Sequence, residues 1–220
     1  MVELNKQSVM GTAFSSREDP LSWIPRAATK LNSLWLAWTY PFASLGKQVS
    51  VHYSCDLGRH IAPLIGIGNR VIIDRDCWLN IPVNSNSDGP VIFLGDGCQV
   101  GRRCMISARN RIHVESNVVL APSALLMDHN HSFEDVTAPI LQQGITSGGM
   151  IRIEEGCWIG FGAAIICGLG ELVVGRNSVV GANSVVTRSV PPYSVVAGNP
   201  ARVVRQFDSQ KGQWVRVATS

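Results

Sequence analysis

A six-residue repeat of aliphatic side chains is the feature that most constrains the fold of this chain. Over residues 153–190 an aliphatic residue recurs every six positions, with one longer step, at Ile153, Ile159, Ile165, Val174, Val180 and Val186. A small residue follows most of them four positions later. A period of six matches neither the 3.6 of a helix nor the 2 of a simple strand. It predicts a β-helix, in which short parallel strands coil and stack.

The same repeat covers most of the chain in groups of three. It begins near residue 49 and continues at Ile61, Ile67, Ile73, Leu79, Leu94, Val100, Ile106, Val114, Leu120 and Leu126. Three hexads make one triangular coil, so the interruptions are predicted to lie at one corner of a prism. We divide the chain into an N-terminal helical extension (1–46), a β-helix (47–190) and a C-terminal part (191–220) with a short helix.

The repeat slips by two residues at Arg109-Asn110, and two longer stretches interrupt it. Residues 84–90 are predicted to form a loop. Residues 127–149 are longer and contain the run Asp128-His129-Asn130-His131. A loop of this length in a compact repeat fold is usually functional. We therefore expect the chemistry of the protein in the 127–149 loop.

The N-terminal segment is predicted to contain one or two short helices that start after Asp19-Pro20, with Pro25 and Pro41 as breakers. Its apolar residues Leu31, Leu34, Trp35 and Trp38 fall on one helical face. We expect this face to cap the open end of the β-helix. Two alternatives stay open, contact with a membrane interface and docking onto a neighbouring subunit.

Composition excludes several classes of protein. The net charge of +3 is too small to indicate nucleic-acid binding. The N-terminus does not resemble a signal peptide, and no run of 18 apolar residues indicates a membrane span. We therefore expect a cytoplasmic protein with no nucleic-acid partner, for which peripheral membrane contact is possible but not expected.

The six cysteines form no C-x-x-C pair, so neither a zinc site nor a redox motif is predicted. Four of them, Cys77, Cys98, Cys104 and Cys157, lie four positions after an aliphatic hexad residue. We interpret them as small fillers of a narrow interior. No metal requirement is expected.

The hexads, the blocks CWIGFGAAI and VVGRNSVVGANSVVTRSVPP, and the ending AGNPARVVR resemble the hexapeptide-repeat acetyltransferases over about residues 60–207. Within this family the chain is most similar to sugar and bacterial polysaccharide O-acetyltransferases. The resemblance implies a left-handed parallel β-helix, a homotrimer, acetyl-CoA as co-substrate and active sites between subunits. It also implies a sugar or glycan acceptor.

Transfer of an acetyl group to a hydroxyl needs a base, for which histidine is suited near neutral pH. An ungapped match to the family places its catalytic histidine on His131, and a two-residue shift would place it on His129. Asp128 or Glu134 could orient the imidazole. Asp128 and Asn130 are also expected to contact the acceptor.

The resemblance further assigns the contacts to CoA. Carried over motif by motif, they fall on Phe161, Ala182, Thr187, Arg188, Arg202 and Arg205. Trp158, which precedes the glycine at the groove, is expected to line it. The arginines suit the CoA phosphates, although a solvated surface would explain them equally well.

The chain departs from the family pattern in two places. Galactoside acetyltransferases carry an asparagine at the position that corresponds to Gly101, and the step from Ile165 to Val174 is three residues longer than usual. We expect the extra residues to form a bulge beside the CoA groove. Alternative functions are N-acetylation of an amino sugar, acetylation of a streptogramin-type antibiotic, or a non-enzymatic trimeric scaffold.

Overall fold

A computed structural model describes residues 23–82 and 89–217. One α-helix, α1 (Trp23–Thr39), precedes 21 short strands, of which the first 18 wind into three parallel sheets. Successive strands pass from sheet A to sheet B to sheet C, so three strands complete one coil of a triangular prism. The predicted parallel β-helix is therefore confirmed.

The strands of each sheet recur every third position along the chain. Sheet A contains β1 (Ser44–Leu45), β4 (Ile65–Ile67), β7 (Ile92–Leu94), β10 (Arg111–Val114), β13 (Gly148–Ile153) and β16 (Leu169–Val174). Sheet B contains β2 (Ser50–Val51), β5 (Ile72–Ile73), β8 (Gln99–Val100), β11 (Val119–Leu120), β14 (Trp158–Ile159) and β17 (Val179–Val180). Sheet C contains β3 (Asp56–Leu57), β6 (Trp78–Asn80), β9 (Met105–Ser107), β12 (Leu125–Met127), β15 (Ala164–Ile166) and β18 (Val185–Val186).

The hexad aliphatics are the interior of this prism. Parallel pairing sets equivalent residues of successive coils side by side, as in Leu120, Ile159 and Val180 of sheet B. All three are buried. The small residues four positions later, such as Ala163 and Ser178, are also buried, because they fill the narrow corners. Each buried aliphatic side chain contributes roughly 1.5–3 kcal/mol to folding.

The interruptions lie at one corner, as predicted. Every connection that departs from the regular hexad step joins a strand of sheet C to the next strand of sheet A. This corner, which we call the C–A corner, receives the 3-10 turn Arg59–Leu64, the turn after β9 and the loop after β12. The loop predicted at 84–90 lies largely outside the described residues. Regular stacking continues past each insertion because the other two corners stay uniform.

The N-terminal segment differs from its prediction. The structure has one continuous helix through Pro25, because proline is tolerated in a first turn whose N–H groups have no intrahelical partner. The helix packs on β2 through Leu36, and Val51 exchanges hydrogen bonds with Asn32 and Ser33. The face predicted to cap the prism instead points to solvent. The predicted start at Asp19 lies outside the described residues.

Two further differences concern the two ends of the β-helix. Coiling starts at β1, a few residues earlier than expected, since Ser44 already pairs with Gly66. The predicted C-terminal helix is wrong. Its residues lie in the end of β19 (Ser194–Gly198), which pairs parallel with β17, and in β20 (Ala201–Asp208), which pairs antiparallel with β19. The strand β21 (Gln213–Arg216) pairs antiparallel with β20 and completes sheet B.

The extra residues before Val174 also behave differently from the prediction. They do not form a bulge, because β13 and β16 pair in register over six residues, from Gly148 with Leu169 to Ile153 with Val174. The insertion therefore lengthens two strands at the C–A corner. In the described part of the chain, no helix is long and apolar enough to cross a bilayer.

The buried cysteines give a testable property. All six thiols are free, and Cys157 lies four positions after Ile153 in the interior as predicted. Burial raises the pKa of the Cys157 thiol to about 11. The thiolate is the reactive form of a cysteine. With this pKa only about one in 10³ Cys157 thiols is ionised at pH 8. We expect native Cys157 to be alkylated at least about 100-fold more slowly than in urea, as measured by mass spectrometry. Comparable native and denatured rates would contradict the interior placement.

Candidate active site

The loop after β12 leaves and re-enters the prism at the C–A corner. Its returning segment is held by the turn that follows β9. The Arg109 guanidinium donates to the carbonyls of Ile145 (3.1 Å) and Thr146 (2.6 Å). The Asn110 side chain donates to the carbonyls of Ser147 (2.8 Å) and Gly149 (3.1 Å). The two-residue slip in the hexad pattern at 109–110 therefore supplies the anchors of the loop.

Asp128 is the most buried charged residue at this corner, with 0 % exposure. Its carboxylate accepts three backbone N–H groups, from Arg109 (2.7 Å), Asn110 (2.8 Å) and Arg111 (2.9 Å). Such bonds offset the cost of burying a carboxylate and fix its orientation. The first residue of the loop is thus locked onto the coil below it.

The imidazole of His129 lies against this carboxylate. Nδ1 of His129 is 3.0 Å from Oδ1 of Asp128, and the side chain is 8 % exposed. A carboxylate that accepts backbone N–H groups on both oxygens acts as an acceptor toward the ring, so Nδ1 carries the proton. The lone pair of the neutral ring is then on Nε2. This is the His–Asp arrangement that prepares an imidazole to act as a general base.

Gly148 makes this packing possible where the loop returns. Its φ of +73° lies in the left-handed region that side chains rarely adopt, and a Cβ there would be 2.7 Å from the Asp128 carbonyl oxygen and 3.3 Å from the His129 Cβ. A glycine is required because the chain passes directly over the Asp128–His129 pair. We call these two residues the dyad.

The other predicted residues of the loop follow the dyad closely in sequence, but their side chains are not held by the contacts that hold Asp128 and His129. The His131 side chain is exposed, and its backbone bridges to Ile145. The Asn130 side chain lies beside Gly168 of the next coil. Glu134 accepts the N–H of its neighbour Phe133 at 3.0 Å. Of the two acidic residues considered as orienting groups, Asp128 is the one in contact with an imidazole.

The residues predicted to contact CoA fall in three places. Phe161 and Ala182 occupy the corner between sheets B and C in successive coils, where the Phe161 carbonyl accepts the N–H of Asn183 (2.8 Å). Trp158 projects from sheet B in one row with Val179, Val195 and Arg205.

The remaining predicted CoA residues lie at the C-terminal end of the prism. Arg188 and Arg202 line one small cavity of about 160 Å³ there, and Thr187 precedes Arg188 where β18 has ended. The guanidinium of Arg202 donates to the Ala201 carbonyl (2.9 Å). Two cations that share a cavity beside the last coil could hold a phosphate group.

Sequence reasoning did not single out Arg109, Asn110 or Gly148 as parts of the site. The slip in the repeat at 109–110 could have identified Arg109 and Asn110, because a break in a regular coil indicates residues with a role other than packing the interior. The contacts themselves join residues 17–39 positions apart, such as Asn110 and Gly149, so no local pattern in the sequence specifies them.

Comparison with known proteins finds acetyltransferases among the proteins that the chain resembles in sequence. No family model matches it. It is 30% identical over 162 residues to a protein of Mycobacterium tuberculosis named a probable acetyltransferase, which covers 73% of this chain and 49% of that protein. It is 26% identical over 136 residues to the galactoside O-acetyltransferase of Lactococcus lactis, covering 62% of this chain and 63% of that protein. The chain spans about half to two thirds of the length of these relatives.

Solved structures share the fold. An N-acyltransferase from Bacillus cereus, AntD, in complex with dTDP and coenzyme A, matches with a TM-score of 0.65 at 19% identity, covering 82% of this chain and 90% of that one. A hexapeptide-repeat acetyltransferase from Vibrio cholerae matches with a TM-score of 0.54 at 24% identity, covering 83% and 82%. The coil is thus the left-handed parallel β-helix that the sequence resemblance implied. The chain is a sequence relative of the acetyltransferases and has the fold of the hexapeptide-repeat acetyltransferases.

Proposed function

We propose that the protein transfers an acetyl group from acetyl-CoA to a hydroxyl of a sugar or of a polysaccharide precursor. The observation that supports this most directly is the buried dyad in the long loop, because it leaves Nε2 of His129 available as a base. The relationship to acetyltransferases supports the donor. AntD was solved with coenzyme A, which agrees with a CoA thioester as donor for this fold.

In the proposed reaction, Nε2 of His129 takes the proton of the acceptor hydroxyl as its oxygen attacks the thioester carbonyl. The tetrahedral intermediate then expels the CoA thiolate, which receives the proton from the imidazolium. Asp128 stabilises the imidazolium that forms between these steps and keeps the ring in one orientation. No covalent acyl-enzyme is required. The buried hexad cysteine Cys157 is a poor nucleophile, since burial raises its pKa.

His131 stays the second candidate for the base. It is two residues from His129 and is exposed, so it can reach a substrate without rearrangement of the loop. It lacks a carboxylate partner in the described part of the chain. We assign the base to His129, with His131 and Asn130 at the acceptor side of the loop.

We further propose that the active site forms between subunits of a homotrimer. The dyad lies at the C–A corner, whereas Phe161 and Ala182 lie at the corner between sheets B and C. The two corners are separated by the width of sheet C, roughly 15–20 Å at a strand rise of about 3.3 Å per residue. The pantetheine arm of a CoA bound at Phe161 and Ala182 would therefore reach the dyad of an adjacent subunit more readily than the dyad of the subunit that binds it.

The outer surface of sheet C supports such packing. Its outward row contains Trp78, Met105, Leu125, Ala164 and Val185, which are apolar and paired strand to strand. A flat apolar sheet face is suited to burial against another subunit. The cytoplasmic location expected from the sequence stays a prediction.

The test is release of free CoA thiol from acetyl-CoA in the presence of a panel of acceptors, each offered as a hydroxyl sugar and as the matched amino sugar. We expect turnover with hydroxyl acceptors, including oligosaccharides, and acetylated product by mass spectrometry. Turnover with the amino sugars alone would replace O-acetylation by N-acetylation. No binding of acetyl-CoA by calorimetry would overturn the enzymatic function and favour a scaffold.

A further inference from the structure

Helix α1 is attached to the prism by its less apolar side. Val51 of β2 donates its N–H to the Ser33 hydroxyl (2.9 Å), and its carbonyl accepts from the Asn32 side chain (3.1 Å). Leu36 is the buried residue of the helix. The apolar residues that the sequence presented as a capping face are therefore not used to hold the helix in place.

Those residues form one continuous apolar stripe on the outer side of the helix. Each is exposed by half or more, and Trp38 reaches 88 %. At about 100° per residue they fall within an arc of about 120°. The stripe consists of Trp23, Ile24, Leu31, Leu34, Trp35 and Trp38. An apolar stripe of this size marks an interaction site, since soluble monomers rarely leave one open.

The charges beside the stripe are all basic. Within Trp23–Thr39 the charged residues are Arg26 and Lys30, and the helix contains no aspartate or glutamate. On a helical wheel both lie next to Trp23 at one edge of the stripe. They also line a groove of about 640 Å³ between the helix and the first coil, together with His52, and none of the described residues that line it is acidic.

This combination distinguishes between partners. A second copy of the helix would bring a second apolar stripe with the same basic residues at its edge and would contribute no acidic residue from Trp23–Thr39. An anionic bilayer supplies both an apolar layer and negative headgroups. Tryptophan is enriched at the boundary between the two, where its ring is buried and its N–H stays hydrated.

We propose that helix α1 docks on an anionic lipid surface, with the Trp-rich stripe inserted at the level of the headgroups and Arg26 and Lys30 at its edge. Interfacial helices of this type lie in the plane of the membrane with their apolar side buried about 5–10 Å. The contact would be peripheral. This inference does not depend on acetyl transfer, because it rests on the helix alone.

The experiment is flotation of the full chain with lipid vesicles, without acetyl-CoA. One set contains phosphatidylcholine alone and the other about 30 mol% phosphatidylglycerol, which gives an anionic surface. We expect the bound fraction to be larger on the anionic vesicles and to fall as salt is raised, because the headgroup attraction is screened. Tryptophan emission should shift to shorter wavelength on binding.

Two variants make the test specific. Trp35→Asp/Trp38→Asp adds two acidic groups to the stripe and should reduce the bound fraction at least about tenfold. Val136→Asp changes an equally exposed apolar residue in the loop after β12 and should bind as the unchanged chain does. Circular dichroism confirms that both variants fold.

The proposal is overturned if the unchanged chain does not float with anionic vesicles, or if the double variant floats equally well. Sedimentation equilibrium identifies the rival partner. If the double variant lowers the mass of the assembly while vesicle binding is absent in the unchanged chain, the stripe is a contact between subunits.

Discussion

Replacing His129 by alanine is expected to reduce the kcat of acetyl transfer by about 10²–10⁴-fold, the range in which a positioned general base contributes. The affinity for acetyl-CoA should change little, since the imidazole is bound to Asp128 and none of the residues proposed to contact CoA lies in this loop. The measurement is thiol release at saturating acetyl-CoA, with affinity by calorimetry. His131→Ala should retain activity within about tenfold, because no carboxylate among the described residues orients that side chain.

The reverse result would reassign the base. If His131→Ala loses activity in that range while His129→Ala keeps it, the base is His131 and the dyad is structural. His60→Ala, which removes an exposed histidine on the 3-10 turn Arg59–Leu64, serves as the matched control and should leave the rate unchanged.

Asp128→Asn tests whether the Asp128 carboxylate orients the His129 imidazole or only holds the loop on the turn at 109–111. An asparagine amide would donate to Nδ1 and force the proton onto Nε2, the wrong tautomer, which costs up to about 10⁴-fold in a hydrolytic triad. If the two residues act as a unit, the double variant Asp128→Asn/His129→Ala should be no slower than His129→Ala alone. Additive losses would show that Asp128 acts only through the turn at 109–111.

The second large effect concerns the interior of the prism. Ile159→Asp should lower the free energy of unfolding by about 4 kcal/mol or more, because it removes roughly 1.5–3 kcal/mol of apolar burial and buries a charge in addition. Ile159 has 0 % exposure and contacts the equivalent residues Leu120 and Val180 of the two neighbouring coils. Urea unfolding followed by circular dichroism measures the change.

Val119→Asp is the control for this variant. Val119 precedes Leu120 on β11, the strand that pairs with the Ile159 strand β14. Its side chain is directed outward and is 38 % exposed. The change should cost no more than about 1 kcal/mol, as surface substitutions usually do. Equal losses from Ile159→Asp and Val119→Asp would contradict the alternation of inward and outward side chains on which the fold depends.

The site was partly accessible to sequence reasoning. The loop after β12 was identified from its length and its histidines, and Asp128 was among the residues considered for orienting an imidazole. The sequence did not indicate which of the two histidines Asp128 contacts. That choice depends on the turn at 109–111, which fixes the carboxylate from 17–19 positions away.

The sequence by itself determined the coiled architecture, because a period of six repeats locally and needs no distant partner to be recognised. Ile153, Ile159 and Ile165 are interior for that reason, and Cys157 fills a corner in the same phase. The tertiary structure alone decided three matters. It closed the loop over the dyad through Arg109 and Asn110 and paired the C-terminal residues with the free edge of β19, where the sequence had suggested a helix. It also turned the Trp-rich stripe of α1 to solvent, since hydrogen bonds between Val51 of β2 and the side chains of Asn32 and Ser33 hold the opposite side. In each case the deciding contact joins residues far apart in the chain, which propensity and periodicity do not encode.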